Sequence, residues 1–437
     1  MSPSRSGSGP TDGLGRPAAD KLVSSKMRLP IRPATSSGLP STSQPGSVSP
    51  PGPTSPGQVS IPGHTAAVKN VRGLRPQLRA ADPSRTPPVL VRQVRGAVVE
   101  ARHRGSVVEV GVDGAVRRVL GDPDTLVNLR SAVKPFGLVA LVEAGGVEKF
   151  ELSDAELAIM AGSHSGEDLH VRTIQAILRR AGIPQHHLGC GAEGAPLDAL
   201  TAARLARDGE KPGSLRHMCS GQHTSMLLLC RINDWPFEEY WRPDHPVQGL
   251  YARTIARAFS TVAELLMTST DACGVPTYAF PLREVARAFA MLADPAAVPS
   301  DDARSSLAGP LRRIRDAVMA NPEMVAGTRD RLDASVMKAV PGRILAKGGA
   351  EGLRGFSILP AGRSAATGVA IKVEDGGGFD RATSAVAVET LRQIGLLDAA
   401  ALRALGLYHR PLSLDPRGEP AAQAVAAFEL APVGELL

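Results

Sequence analysis

The order of secondary-structure patterns along the chain most constrains its fold. Patterns typical of strands occupy residues 89–120 and return at 355–374, whereas the long segment between them is dominated by helical patterns. Strands from both ends of a chain can join one antiparallel sheet, with the helices forming a separate layer. The sequence therefore predicts an α+β fold, with helices near residues 168–182, 197–208, 223–233, 247–260, 283–293, 302–320 and 379–396.

Two local signals support this division. The Val-rich run at 107–112 is followed by Asp113-Gly114, which is typical of a hairpin because this pair tolerates the positive φ of a type I′ turn. Ser153 and Glu156 form a capping-box pattern ahead of an apolar run, which predicts the start of a helix.

The first part of the chain has a different composition. More than half of residues 1–60 are Ser, Pro or Gly, and no aromatic residue precedes Phe136. Such a segment buries too little apolar surface to offset the entropy of ordering it. We therefore predict a disordered, basic tail at 1–86, a catalytic domain at 87–410 and a C-terminal extension at 411–437.

The net charge of +7 is unevenly distributed. Residues 1–96 carry a net charge of +10 and the remainder −3, so a nucleic-acid-binding face on the domain is not expected. Four cysteines are too few for a disulfide scaffold in a chain of 437 residues. The sequence shows no signal-peptide pattern and no apolar run of membrane-spanning length, so a cytoplasmic protein without membrane contact is expected.

The first candidate for chemistry is the pair Ser131 and Lys134. A Ser-x-x-Lys spacing places a hydroxyl and an amine one helical turn apart, where a desolvated, neutral lysine can act as base on the serine. The alternative is an ordinary solvated helix start. Pro135 disfavours the α conformation at Lys134, so we expect an unusual turn there rather than a regular helix.

Three further segments carry reactive side chains. Ser163 lies in a small polar run at 162–167, which also fits a simple turn. Cys219 and Cys273 could meet in space as zinc ligands or be two buried apolar cysteines. Lys347 precedes two glycines that permit close backbone approach, although the same run fits a surface loop.

Taken together, these segments resemble the bacterial L-asparaginase II family of the Ser-Lys, zinc-containing type. The ordered set carries the resemblance rather than any one motif, and it covers roughly residues 90–410. The matching stretches are 130–136, 161–168, 219–226, 244–249, 270–280, 321–327, 347–352 and 371–376.

The resemblance implies a β-lactamase-like fold, with an antiparallel sheet and a helical region. It implies hydrolysis of L-asparagine to L-aspartate and ammonia through a serine acyl-enzyme, without an organic cofactor, in a protein expected to be a homodimer. The residues matching the family's two Ser-Lys pairs are Ser131 with Lys134 and Ser163 with Lys347. Those matching positions that contact substrate are Arg130, His164, His223 and Asp271.

The resemblance also implies a zinc ion held by two cysteines and a lysine. Cys219 and Cys273 match the cysteines, but Gln222 stands where the family has the lysine. A carboxamide offers a neutral oxygen and no ionisable amine, so we expect zinc in substoichiometric amounts.

Three alternatives to an asparaginase remain open at this level. The chain could be a glutaminase, a penicillin-directed hydrolase, or a non-catalytic homologue that binds asparagine or aspartate. The change at Gln222 motivates the last of these.

Overall fold

The computed structural model describes residues 86–377 and 381–435. The predicted tail therefore lies outside the described residues, apart from residue 86 at its end. Within the described part of the chain, no helix is both long and apolar enough to cross a membrane.

One antiparallel sheet is the main structural element of the fold. Its strands are β1 (Val89–Arg95), β2 (Val98–Gly111), β3 (Val116–Leu120), β7 (Ile344–Gly348), β8 (Leu353–Ile358), β9 (Thr367–Val373), β10 (Leu412–Leu414) and β11 (Pro420–Ala426). They lie in the order β10-β11-β1-β2-β9-β8-β7, with β3 paired to β2. Strands from the two ends of the chain thus meet where β2 pairs with β9, as the sequence predicts.

The hairpin between β2 and β3 forms at the predicted place with a different turn. Gly111 N–H donates to the Ala115 carbonyl oxygen at 2.9 Å, so the loop has three residues. Gly114 adopts φ 81°, whereas Asp113 is not among the residues with positive φ. A type I′ turn needs positive φ at both central positions, so the expected turn type is wrong although the hairpin is correct.

A second, three-stranded sheet was not expected from the sequence. It consists of β4 (Leu126–Asn128), β5 (Met267–Thr270) and β6 (Pro276–Pro281), in the order β4-β6-β5. These strands are short and lie among helical patterns, which hides them from periodicity. The small sheet brings residues 271–275 beside the turn that contains Ser131.

The segment from 134 to 409 supplies the helices. Ser153 caps its helix in the predicted capping box, with Ser153 N–H donating to Glu156 Oε2 at 2.9 Å. The helices are α1 (Lys134–Glu143), α2 (Gly146–Lys149), α3 (Asp154–Ala161), α4 (Asp168–Arg180), α5 (Ala199–Arg207), α6 (Ser220–Ile232), α7 (Pro246–Ala258), α8 (Leu282–Ala293), α9 (Ala308–Ala320), α10 (Pro322–Val325), α11 (Leu332–Ala339), α12 (Arg381–Gln393), α13 (Ala399–Ala404) and α14 (Gly406–His409).

The main sheet packs closely against α8, and glycine makes this possible. A Cβ on Gly368 of β9 would lie 2.0 Å from the Ala286 carbonyl oxygen, and one on Gly355 of β8 would lie 2.2 Å from the Phe289 ring. Phe289 also contacts Phe136 of α1, edge to face, with ring centroids 5.5 Å apart. The apolar core therefore continues from the sheet through α8 to the helix that begins at Lys134.

The region around Lys134 differs from the expectation in one respect. Arg130–Val133 forms a 3₁₀ turn, which agrees with the predicted irregular turn. Lys134 itself is α-helical, with φ −56° and ψ −43°, and begins α1. Pro135 lies in the first helical turn, where its missing N–H would have had no intrahelical partner, so the helix tolerates it.

The end of the chain is part of the same sheet. The sequence prediction ends the domain at residue 410, yet β10 and β11 extend the main sheet, with Val91 of β1 paired to Ala426 of β11. Residues 411–426 therefore complete the sheet rather than extend from it.

Candidate active site

The Ser163 hydroxyl lies between two buried lysine amines. Lys134 Nζ and Lys347 Nζ each donate to Ser163 Oγ at 3.0 Å. Both lysines are only 1 % exposed, and Ser163 is 8 % exposed. The fold thus gathers three of the four predicted Ser-Lys residues from α1, from the loop after α3 and from β7.

The backbone holds this arrangement in place. Lys134 Nζ also donates to the Gly162 carbonyl at 2.9 Å, and Lys347 Nζ to the Gly348 carbonyl at 2.7 Å. Ser163 N–H donates to the Val325 carbonyl at 2.7 Å. A Cβ on Gly162 would lie 2.5 Å from that same carbonyl oxygen, so only glycine allows the loop to approach so closely.

Lys347 has the electrostatics of a base. Burial and the nearby Lys134 charge together lower its pKa from 10.5 to about 7, against the opposing charge of Asp333. Desolvation and a second cation both disfavour the charged form of an amine. A lysine with a pKa near neutrality can take a proton from a hydroxyl under physiological conditions.

Ser131 faces a cavity next to this cluster. The cavity measures about 600 Å³ and is also lined by Ser163 and Lys347. Within the described residues, the structure records no hydrogen bond from the Ser131 side chain, and Lys134 contacts Ser163 instead. Ser131 thus shares a cavity with Ser163, and it is Ser163 rather than Ser131 that lies between the two lysines.

Arg130 and Asp271 form an ion pair next to Ser131. Arg130 Nε donates to Asp271 Oδ1 at 2.5 Å, and Arg130 N–H donates to Thr277 Oγ1 at 3.0 Å. Arg130 has φ 47°, a left-handed conformation that a non-glycine residue seldom adopts. The ion pair and the small sheet stabilise this turn and so place Ser131. Neither residue is on the cavity wall.

His164 is fully buried behind the serine loop. Its Nε2 lies 2.9 Å from Ser220 Oγ, and its Nδ1 accepts the Gly166 N–H at 3.2 Å. The ring stacks on His170 with centroids 4.7 Å apart. Burial lowers the pKa of His164 well below 6.5, so the ring is neutral. With both nitrogens occupied, the geometry places His164 as a support of the Ser163 loop.

His223 is also fully buried and away from the cavity wall. Its Nδ1 lies 2.5 Å from the Tyr240 hydroxyl, and its Nε2 has no hydrogen-bond partner within the described residues. Burial lowers its pKa to about 3, so it too is neutral. The predicted substrate contacts of both histidines, and of Arg130 and Asp271, stay predictions.

The two predicted zinc cysteines lie together next to Lys134. Lys134 Nζ is 3.3 Å from Cys219 Sγ. The hydrogen bond with Cys273 and the Lys134 charge lower the pKa of the Cys219 thiol, while Cys273 keeps its proton and its pKa is raised. Both cysteines are free and buried.

The donor set does not fit a zinc site. A zinc site uses at least three protein ligands, and the described residues contain no group of three His, Cys, Asp or Glu side chains that could hold a metal. The Cys219 thiol has Cys273 and Lys134 as partners, and Cys273 has Cys219, without a metal. The zinc content itself stays a prediction.

Five charged residues on the cavity wall were missed from the sequence: Arg331, Asp333, Glu351, Arg354 and Asp375. The first two belong to the run Arg329-Asp330-Arg331-Leu332-Asp333, whose alternating charges are typical of a solvated surface. A signal was present, since the run begins two residues after the matching stretch at 321–327. Nothing in the run distinguishes the two residues that point inward.

Known proteins resemble this chain to different degrees. A comparison with curated proteins finds no match. Solved structures with some likeness include a crystal structure of Bacillus glutaminase in the presence of 4.3 M NaCl, with 12% identity and a TM-score of 0.34, covering 67% of this chain and 91% of that chain. Another is a structure of Mglu in its tris and glutamate form, with 15% identity and a TM-score of 0.31, covering 72% of this chain and 65% of that chain. Both likenesses are distant.

A family comparison covers most of the described part of the chain. A model of the L-asparaginase II family matches residues 91–426, from within β1 to the end of β11. That range contains the two lysines, both serines and the thiol pair. The chain belongs to the L-asparaginase II family and is an amidohydrolase.

Proposed function

We propose that the protein hydrolyses the side-chain amide of L-asparagine to L-aspartate and ammonia through an acyl-enzyme on Ser131. The observation that carries the proposal is the Ser163 hydroxyl held 3.0 Å from two buried lysine amines, on the wall of a cavity that Ser131 shares. This arrangement gives one cavity a base (Lys347), a proton relay (Ser163) and a nucleophilic hydroxyl (Ser131).

The proposed proton path uses the contacts of Ser163 with the two lysines. Ser131 Oγ attacks the amide carbon, its proton passes to Ser163, and Ser163 passes its own proton to neutral Lys347. The same chain returns a proton to the amide nitrogen, the C–N bond breaks and ammonia leaves. Water then attacks the ester by the same route and releases aspartate. Lys134 supports Ser163 from the other side throughout.

The test is Ser131→Ala, assayed for ammonia release from L-asparagine. We expect a loss of about a thousandfold or more, since a covalent nucleophile is removed. Ser269→Ala is the control, because Ser269 is exposed and donates to Asn128 outside the cavity. Unchanged activity in Ser131→Ala, or an acyl group mapped to Ser163 by mass spectrometry of a trapped intermediate, would overturn the assignment of the nucleophile.

The substrate is tested separately. Ammonia release is compared for L-asparagine and L-glutamine, and nitrocefin turnover is measured with the same preparation. We expect asparagine to be preferred. Preference for glutamine would make the protein a glutaminase, turnover of nitrocefin a penicillin-directed hydrolase, and aspartate binding without any turnover a binding protein.

A further inference from the structure

Two long apolar residues line the cavity that the serines share. They are Leu197 and Met218, and they stand on its wall together with Ser131 and Ser163. Leu197 is 38 % exposed and Met218 is half-buried, so both residues keep accessible surface. A single exposed leucine on a protein surface needs no explanation. Two apolar residues on the wall of a reaction cavity, however, lie where a substrate can contact them.

Leu197 is held against the serine loop by both of its neighbours in sequence. Asp198 N–H donates to the Ser165 carbonyl at 3.0 Å. Pro196 packs on Gly166, where an added Cβ would lie 2.8 Å from Pro196 Cβ. Leu197 therefore has a fixed position beside the loop that carries the relay serine.

Met218 is held next to the same loop. Arg216, two residues earlier, donates from Nη1 to the Gly166 carbonyl at 2.8 Å. An added Cβ on Gly166 would also lie 2.4 Å from the Arg216 carbonyl oxygen, and Gly166 has φ 80°, so glycine is required there. The segments of Leu197 and Met218 thus meet at Gly166, and both apolar residues lie close to the serine loop.

The charged residues of the lining come from a later part of the chain. All of them lie between positions 331 and 375: Arg331, Asp333, Lys347, Glu351, Arg354 and Asp375. Two separate parts of the chain thus give the cavity two kinds of lining, one apolar and one charged. The ligand that suits such a cavity has a polar head and an apolar group.

The volume of the cavity supports a ligand larger than asparagine. It measures about 600 Å³, and pockets of about 300–1,000 Å³ hold drug-sized ligands. The aspartyl part of asparagine is short and mostly polar, so it offers almost no apolar surface to the wall. An apolar group on the amide nitrogen would offer such surface, and hydrolysis would still release aspartate.

We infer that Leu197 and Met218 form an apolar subsite beside the serines, which binds the substituent of an L-asparagine that is substituted on its amide nitrogen. The inference rests on the proposed function, which it deepens by naming a wider substrate class. The reaction is a hydrolysis of a secondary amide at the same site.

The bonds and protons balance as they do for asparagine. Ser131 Oγ forms a bond to the amide carbon, the C–N bond breaks, and the amine leaves with the proton that the Ser163–Lys347 relay returns. Water then adds its hydroxyl to the acyl carbon and gives its proton to Ser131 through the relay. The products are aspartate and an amine in place of ammonia.

The test compares three amides that share the aspartyl group, with the full-length protein. They are L-asparagine, the β-methylamide of L-aspartate and its β-benzylamide. Methylamine and benzylamine are both alkylamines, so the phenyl ring is the main difference between the last two.

Four variants are compared with the wild-type protein. Leu197→Asn and Met218→Gln exchange an apolar side chain for a polar one of similar size, whereas Leu197→Met keeps the position apolar. The control is Leu200→Asn, because Leu200 is a 65 % exposed leucine of α5 outside the cavity lining. Far-ultraviolet circular dichroism checks that each variant is folded.

The measured quantity is the ratio of kcat/KM for the benzylamide to kcat/KM for the methylamide. It should be about ten in the wild-type protein, since part of a phenyl ring leaves water. Each polar variant should lower the ratio by about threefold or more, and Leu197→Met and Leu200→Asn should keep it within about twofold. A wild-type ratio near one, or a ratio that the polar variants leave unchanged, overturns the inference.

Calorimetry of the same two amides separates this inference from the proposed function. If no amide is hydrolysed, yet the wild-type protein binds the benzylamide about tenfold more tightly than the methylamide and the polar variants reduce that preference, the subsite stands and the function is wrong. If asparagine is hydrolysed, but the benzylamide is neither hydrolysed nor bound more tightly, the function stands and the subsite is wrong.

Discussion

Lys134 contacts two groups of residues, which differ in how complete each is as a functional site. The serine side is Ser163 with Lys347, and the thiol side is Cys219 with Cys273. On one side, Lys134 and Lys347 both contact Ser163, and each amine has a further backbone carbonyl at 2.7–2.9 Å. On the thiol side, Cys219 contacts both Cys273 and Lys134, and Gln222 replaces the third ligand that the family resemblance implies. The serine side holds a hydroxyl between two amines at the wall of a cavity, whereas the thiol side lacks the third ligand of the implied metal site.

This difference indicates where the chemistry resides. The serine side combines a base of lowered pKa with a cavity, and the thiol side contributes two buried sulfur atoms next to one lysine. If the comparison is correct, changes on the serine side should have large effects on turnover, and changes on the thiol side should have small ones.

The largest effect is expected from Lys347→Met, which removes the base and keeps the volume. Ammonia release should fall by about a thousandfold or more, since general base catalysis and the lysine charge are both lost. Lys338→Met is the control, because Lys338 is exposed and pairs with Glu323 away from the cavity. Far-ultraviolet circular dichroism checks the fold. Activity within tenfold of wild type would remove Lys347 from the mechanism.

A pH profile should show the same base. Lys347 must be neutral to accept a proton, and its pKa is about 7. Activity should therefore rise with pH through about 7, falling about tenfold for each unit below it. The measurement is kcat/KM for asparagine between pH 5 and 9, in buffers of constant ionic strength. A profile that falls as pH rises through this range would contradict a neutral lysine base.

On the thiol side, Cys273→Ser should have a smaller effect. The serine hydroxyl can still donate to Cys219, so the contact that positions Lys134 persists. We expect kcat to fall by less than about tenfold, in line with the loss of one modest hydrogen bond. A loss as large as that of Lys347→Met would show that the thiol pair takes part in the reaction as directly as the serine side does.

The smallest effect on activity is expected from removing metal. The purified protein should contain zinc well below one equivalent per chain, as measured by elemental mass spectrometry, and chelator treatment should leave turnover unchanged. Gln222→Lys supplies the missing amine and should raise the zinc content. One tightly held zinc per chain in the wild-type protein would show that two thiols and Gln222 suffice.

Much of the fold follows from local patterns in the sequence. The capping box at Ser153, the hairpin at Gly114 and the long amphipathic helices depend on residues close in sequence, so periodicity and turn chemistry identify them. The small sheet and strands β10 and β11 escape this reasoning, because short strands are stabilised by partners far along the chain. The pairing of β1 with β11 joins residues more than three hundred positions apart.

The candidate site divides in the same way. The sequence by itself identified the reactive residue types: Ser131, Lys134, Ser163, Lys347 and the two cysteines. Their order along the chain carried the family resemblance, and the family model supports it. Residue type and order are properties of the covalent chain, so they can be read without coordinates.

Only the tertiary structure decided which of these groups touch. It moved the contact of Lys134 from Ser131 to Ser163, placed Arg331 and Arg354 on the cavity wall, and placed His164 behind the loop. The physical reason is that the pKa of Lys347 and the set of residues that line the cavity depend on burial and on neighbours from distant segments. No short stretch of the sequence encodes the burial of a side chain or its distance to neighbours from distant segments.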